Sequence, residues 1–230
     1  MSLKPIVVVG AAGLGRETAW LIESINEVRP TYRLLGFLDD DPTKHGCEFD
    51  GHPVLGGCRW IESCPEENLC AAIGVGRPTW KYRVVQALAG YGVDFPTLVH
   101  PGAHMSRHVE LDRGAVVTAG CILTVGISLG EFAFVNLDST VGHGARIGAY
   151  VEINPSVNIS GGVTLGDGVE LGTGAIVIPN CSVGEGVVIG AAACVIRDTP
   201  PNVTAVGVPA RAIKELPPWT ERAIPPGLLA

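Results

Sequence analysis

The sequence predicts two architectures in one chain: a small parallel α/β unit followed by a parallel β-helix. Three observations predict them. The first ninety-odd residues alternate short apolar runs with stretches of helical spacing. From Leu111, every sixth residue is Leu, Ile or Val, fifteen times in succession to Val195. The composition joins 31 glycines to an aromatic content of only 6%, which suits a repetitive core of small and branched aliphatic side chains.

In the first part, IVVV (6–9) is an apolar run closed by glycine, and RETAWLIESINEV (16–28) has helical apolar spacing. LLGFLDD (34–40) and CAAIGV (70–75) read as further strands, and WKYRVVQALAGYG (80–92) as a helix closed by glycine. Strands alternating with helices imply a parallel sheet with ligands at the carboxyl ends of its strands. GAAGLG (10–15) falls at the first strand-to-helix turn, where backbone amides and the helix dipole favour a phosphate. Its spacing is G-x-x-G-x-G, not the G-x-G-x-x-G of dinucleotide enzymes. On these residues alone two readings stay open. The glycines only permit the turn, or they cradle a phosphate with Asp39, Asp40 and Gly74 at neighbouring strand ends.

The six-residue period of the second part is the signature of a parallel β-helix. Each unit makes one flat side and three sides close a coil, so residues eighteen apart stack about 4.8 Å from one another. The aliphatic position and the small residue four places later point inward, because a narrow triangular core holds little else. The repeat runs from Leu111 to Asp198 without an insertion.

Charge and cysteine usage exclude several classes. A net charge of −7 with no Lys/Arg cluster argues against nucleic acid as a partner. No apolar run approaches the roughly 20 residues that span a bilayer, so no membrane insertion is expected. KPIVVVGAAGLG (4–15) reads as strand and turn rather than as a signal peptide. Seven cysteines without a CxxC pair point to reduced thiols and a cytoplasmic location. His100, His104 and His108 are spaced by four, but Pro101 interrupts them and no matching acid follows, so no metal site is expected.

His143 is the one histidine beyond Arg113. In V141-G-H-G-A-R it takes the third place, which faces outward near a corner and excludes a core role. A solvated surface residue and a catalytic base both fit the residues alone.

GAAGLGRE (10–17), FLDDD (37–41), AIG (72–74), LVHPGAHMS (98–106), the coil histidine and GVPARAI (207–213) follow one another in a telling order. They resemble the sugar acetyltransferases of the sialic acid O-acetyltransferase and bacillosamine-pathway N-acetyltransferase type, which are left-handed β-helix, hexapeptide-repeat acyltransferases. The resemblance reaches to about Ile213. It implies a Rossmann-like nucleotide-sugar-binding domain over 1–96 and a left-handed β-helix over 97–213; beyond it, the Pro-rich tail over 214–230, with PPW at 217–219, is expected to pack along the outside. The resemblance further implies acetyl-CoA as co-substrate, a nucleotide-linked amino sugar as acceptor, and a homotrimer with active sites between subunits.

By the same resemblance, His143 is the general base, the Gly161 N–H binds the thioester oxygen, and Asn136 orients substrate. Ala12, Gly13 and Leu14 line the phosphate side, Asp39 and Asp40 approach the base or ribose, and Gly74 closes the pocket. Glu152, Gly161, Thr173 and Ala191 face the acetyl-CoA groove. The chain departs from the family pattern in three places. Gly144 follows the base where relatives commonly carry Asp or Glu. Glu152 stands where histidine is frequent, leaving it as an acidic partner of His143 or a contact to CoA. Leu14 stands where relatives often carry histidine. Leu14 keeps open a hydroxyl acceptor, as in sialic acid O-acetylation, and Gly144 keeps open a non-catalytic β-helix scaffold.

Overall fold

The structure, a computed structural model, describes residues 3–224. One compact unit takes in the chain up to Gly76 together with Trp80–Pro101; the other comprises Arg77–Thr79 and Gly102–Arg222. Of the Pro-rich tail, the part up to Arg222 belongs to the second unit, and 225–230 lie outside the described residues.

The first unit is built on β1 (Lys4–Val9), α1 (Gly13–Val28), β2 (Tyr32–Leu38), β3 (Glu48–Phe49), β4 (His52–Gly56) and β5 (Cys70–Ile73), with α2 (Pro78–Leu88) following β5. Five successive residues of β1 are buried, as a central parallel strand requires. It pairs in parallel with β2 on one side and β5 on the other. The order β3-β4-β2-β1-β5 therefore reverses direction at β1 and puts a crevice at its carboxyl end. α1 buries Thr18, Ala19, Leu21 and Ile22, the stripe its apolar spacing dictates. The β3–β4 hairpin turns on Asp50 and Gly51, both with positive φ. Asp-Gly between two short runs is a strong hairpin signal.

The second unit is the coil. Its first face stacks strands from His104–Met105 through Ile122–Leu123, Thr140–Val141, Asn158–Ile159 and Ile176–Val177 to Cys194–Val195, each paired in parallel with the next, eighteen residues on. The second face runs from Val109–Leu111 to Ser182–Val183. The third includes Val116–Val117, Phe134–Val135, Glu152–Ile153, Glu170–Leu171 and Val188–Ile189, and ends on Val203–Val206 with the antiparallel strand Arg211–Glu215. The inward six-residue series from Val117 to Val195 is buried throughout, as are the small residues four places after, from Ala115 to Ala193. One of these is polar. Ser139 is fully buried, and its Oγ donates to the Asn154 carbonyl and accepts from the Val157 N–H, so its desolvation is offset.

One corner carries an aromatic column. Phe132 and Tyr150 adopt positive φ and stack with centroids 5.2 Å apart, and the Arg113 guanidinium lies over the Phe132 ring. Trp219 of the tail continues the column beside Tyr150 and occupies the space that a Cβ at Gly168 would take. Its indole N–H donates to Glu185 at 2.7 Å. The tail is thereby fastened to the coil.

Candidate active site

The corner between the first and second faces presents His143. The Gly162 N–H donates to the His143 carbonyl, and the Asn180 N–H to the Gly161 carbonyl, so Gly161 stacks one coil beyond His143. The imidazole packs against Gly161, and a Cβ at position 161 would overlap the ring. Glycine at 161 thus lets an exposed imidazole rest beside a backbone amide. The Gly161 N–H makes no hydrogen bond to an acceptor among the described residues. An outward N–H and an imidazole at one corner can do two things together: take a proton and stabilise an oxyanion. Gly144, next to the base, has φ of 69° and open space around it; no carboxylate follows His143 in sequence.

The other coil residues expected around His143 stand elsewhere. Glu152 lies on the third face, across the triangle from the His143 corner, and is only 3% exposed. The expected Glu152–His143 pair is therefore not made within a chain, because the coil puts the two on opposite sides of its core. Asn136 falls at the corner between the third and first faces. It is buried, and its Oδ1 accepts from the Leu137 N–H at 2.8 Å, so its carbonyl holds its own turn. Thr173 and Ala191 stack one coil apart on that same corner, both exposed.

In the first unit, the glycine-rich loop, Asp39, Asp40 and Gly74 meet at the carboxyl ends of β1, β2 and β5. Contact there is close enough to demand glycine. A Cβ on Gly15 would overlap the Gly10 carbonyl, and one on Gly74 would meet the Gly15 Cα at 2.5 Å. Ala12, Gly13 and Leu14 open α1 and are exposed or half-exposed, leaving first-turn amides facing outward. Asp39 is a latch. Its Oδ2 accepts from the Ala11 N–H (2.9 Å) and the Lys44 ammonium (2.8 Å), and its Oδ1 from the Asp41 N–H. Burial pushes its pKa up, but Lys44 and the two amides outweigh that and hold it below the ordinary value. Asp40 accepts from the Cys58 N–H and thiol, and burial together with this carboxylate pushes the Cys58 thiol up to about 12. Both acids are engaged within the unit.

Sequence reasoning missed the partners. Lys44 and the Ala11 amide fix Asp39, while Arg16 pairs through two bonds with Asp50 at the hairpin tip. Gly13, Arg16, Glu17, Trp20 and Asp50 bound a cavity of about 380 Å³ beside the helix start. The Asp-Gly turn was the available signal for that hairpin. A larger cavity, about 740 Å³, opens at the opposite ends of β1 and β5, lined among others by Lys4, Cys70 and Asp94. Among the described residues, no group of three or more His, Cys, Asp or Glu side chains is placed to hold a metal ion. No helix among them is long and apolar enough to cross a membrane.

Comparison with known proteins bears on both units. The PglD N-terminal domain family matches residues 5–88. The acetyltransferase domain of PglB from Neisseria gonorrhoeae, solved in complex with acetyl coenzyme A, is 30% identical. The match covers 92% of this chain and 100% of that one with a TM-score of 0.85. A histidine-to-asparagine mutant of perosamine N-acetyltransferase from Caulobacter crescentus, in complex with CoA and GDP-perosamine, is 28% identical over 93% of this chain and 99% of that one, with a TM-score of 0.83. WeeI from Acinetobacter baumannii is 27% identical over 92% and 100%, with a TM-score of 0.82. No curated protein matches the chain by sequence. The architecture is that of the left-handed β-helix acyltransferases. The chain belongs to the sugar N-acetyltransferases of the hexapeptide-repeat family.

Proposed function

We propose that the protein transfers the acetyl group of acetyl-CoA to the amine of a nucleotide-linked amino sugar, with His143 as general base. The observation that carries this is the imidazole lying on Gly161, beside an amide free to meet an oxyanion. Two relatives support the chemistry: one is solved with acetyl coenzyme A, the other with CoA and GDP-perosamine. The neutral amine attacks the thioester carbonyl carbon while His143 accepts its proton. The carbonyl oxygen becomes an oxyanion held by the Gly161 N–H. The C–S bond then breaks, the amide forms, and the CoA thiolate takes up the proton from the imidazolium. Donors aimed at a developing oxyanion are commonly worth about 3–4 kcal/mol.

The first-turn amides of Ala12, Gly13 and Leu14 suit the acceptor's phosphates, and the Asp39–Lys44 latch with Asp40 forms the wall for its nucleoside. Thr173 and Ala191 line the CoA groove. Within one chain those two residues occupy a different corner from His143 and Gly161, so a groove using both needs a second copy. A homotrimer supplies it, because a three-fold axis sets one corner of each copy against a different corner of the next. The exposed aliphatic residues of the coil favour this. Ile122 and Ile176 stand on the first face, and Val125 and Ile196 at its edge towards His143. The seven cysteines form no disulfide, which supports a reducing compartment, the cytoplasm.

The test is thiol release from acetyl-CoA with UDP-, GDP- and TDP-linked amino sugars and free sialic acid. Turnover on one nucleotide-linked amine is expected. Turnover on sialic acid alone would move the protein to hydroxyl acceptors, and none at all would favour a scaffold.

A further inference from the structure

Asn154 opens the corner that carries Thr173 and Ala191. It follows the third-face strand Glu152–Ile153 and precedes Pro155, and the Gly174 N–H on the Pro155 carbonyl stacks Thr173 over Pro155. All but one of its polar groups are committed inside the chain. Its backbone N–H and its Nδ2 both donate to the Leu171 carbonyl, and its own carbonyl accepts from the buried Ser139 hydroxyl. The Nδ2 bond fixes which way the amide faces, because a carbonyl takes only a donor. Oδ1 is left as an acceptor with no donor among the described residues, on a half-buried side chain. Asn136, one coil earlier, is used the other way round: its oxygen is spent on the Leu137 N–H.

We infer, resting on the acetyl-transfer reading and the trimer above, that Asn154 of the neighbouring copy holds the acceptor's amine while His143 takes its proton. The first face runs the length of the coil, from His104–Met105 to Cys194–Val195. A contact along it puts the three-fold axis along the coil, so every copy keeps a given residue at one height. The coil climbs about 4.8 Å over eighteen residues, which sets Asn154 about 3 Å above His143 and Gly161 about 2 Å higher again. The spare oxygen thus stands level with the gap between base and oxyanion amide, on the corner that the trimer sets against them. A primary amine brings two protons to that gap. One goes to His143 as the C–N bond forms; the other stays on nitrogen and remains in the amide product. Asn154 Oδ1 accepts a hydrogen bond from the proton that stays and steadies the nitrogen as it turns positive. A hydroxyl has a single proton, and His143 takes it, so the Asn154 oxygen would face an ester oxygen unpaired. That mismatch forfeits a hydrogen bond, and the corner is matched to an amine.

Thiol release from acetyl-CoA with the nucleotide-linked amine that the panel turns over tests this. Asn154→Ala should lower kcat roughly 10- to 100-fold, the loss of a hydrogen bond to a group turning positive, with KM for acetyl-CoA unchanged. Turnover of the same sugar with a hydroxyl in the amine's place should be no lower in the variant than in wild type. Asn154→Leu fills the side chain's volume without the oxygen and serves if the alanine variant does not assemble. Complementation is the decisive arm. His143→Ala and Asn154→Ala chains are co-expressed under different tags, and trimers carrying both tags are isolated. Each holds one boundary where an intact His143 meets an intact Asn154, so about a third of wild-type turnover should return. An active wild type whose mixed trimers stay at the level of the two parents overturns the proposal alone. So do Asn154 variants that keep the wild-type kcat or lose amine and hydroxyl turnover alike, and so does an active protein that yields no doubly tagged trimers. A wild type inactive on every nucleotide-linked amine removes the acetyl-transfer reading and the proposal with it.

Discussion

The His143 imidazole rests where the side chain of any other residue at position 161 would begin. Gly161→Ala should therefore push the ring off its amide while sparing the fold, because φ at Gly161 is not in the left-handed region and the displaced group is exposed. We expect kcat to fall by about 100-fold, the scale of an ångström-sized misplacement, with the thermal midpoint nearly unchanged. A midpoint falling in step with activity would instead make Gly161 structural. Asp39 gives a pH prediction. Its folded pKa lies below the ordinary value of 3.8, so its stabilisation is present above that value and is lost as pH falls through the lowered one. Asp39→Asn turns an amide NH2 either towards the Ala11 N–H and the Lys44 ammonium together or towards the Asp41 N–H. It should lower the midpoint at pH 7 and flatten the acid loss seen by thermal melts below pH 4. The histidine and its glycine were legible as an outward place in the repeat and an eighteen-residue offset. That Asn136 caps its own turn and that Glu152 faces away were not, since both depend on which side of a triangle a residue takes.

At the scale of elements, the six-residue period made the coil readable from Leu111 onwards. It did not show that the first face begins at His104–Met105. There the coil is open-ended, and Met105 is 37% exposed, so no pressure for a buried aliphatic marks the start. The tail was legible as a segment packed along the outside but not as a fastening, although Phe132 and Tyr150 stand eighteen apart and in line with Gly168 and Gly186. An aromatic column that stops at two glycines leaves a slot, and Trp219 fills it. Trp219→Ala removes a buried indole and its bond to Glu185. The cost should be about 3–5 kcal/mol, which corresponds to roughly 6–20 °C in the thermal midpoint for a chain of this size. Gly168→Ala should mimic it in part, since φ of 64° and the indole both oppose a Cβ. If Trp219→Ala melts like the wild type, the tail is an ornament of the coil and not a fastening.

At the scale of the whole molecule, the proposed groove needs two corners that one chain holds apart. His143 and Gly161 share one corner, Thr173 and Ala191 another, and the exposed Ile122 and Ile176 lie on the face between them. The pair Ile122→Asp and Ile176→Asp should convert a trimer in sedimentation analysis to folded monomers without activity; monomers that retain full turnover would mean that each chain carries a complete site. Composition argued against nucleic acid as a partner, but it carried nothing about copies. Interfaces here come from which of three faces is left apolar, and that becomes visible only once the coil is closed. The most direct test of the account is single-turnover thiol release by His143→Ala on the best acceptor of the panel, with CoA binding measured alongside. General-base removal predicts a loss of about 10²–10⁴-fold in rate with CoA bound as tightly as before. A variant that transfers acetyl at the wild-type rate would contradict the assignment of His143 and the mechanism built on it.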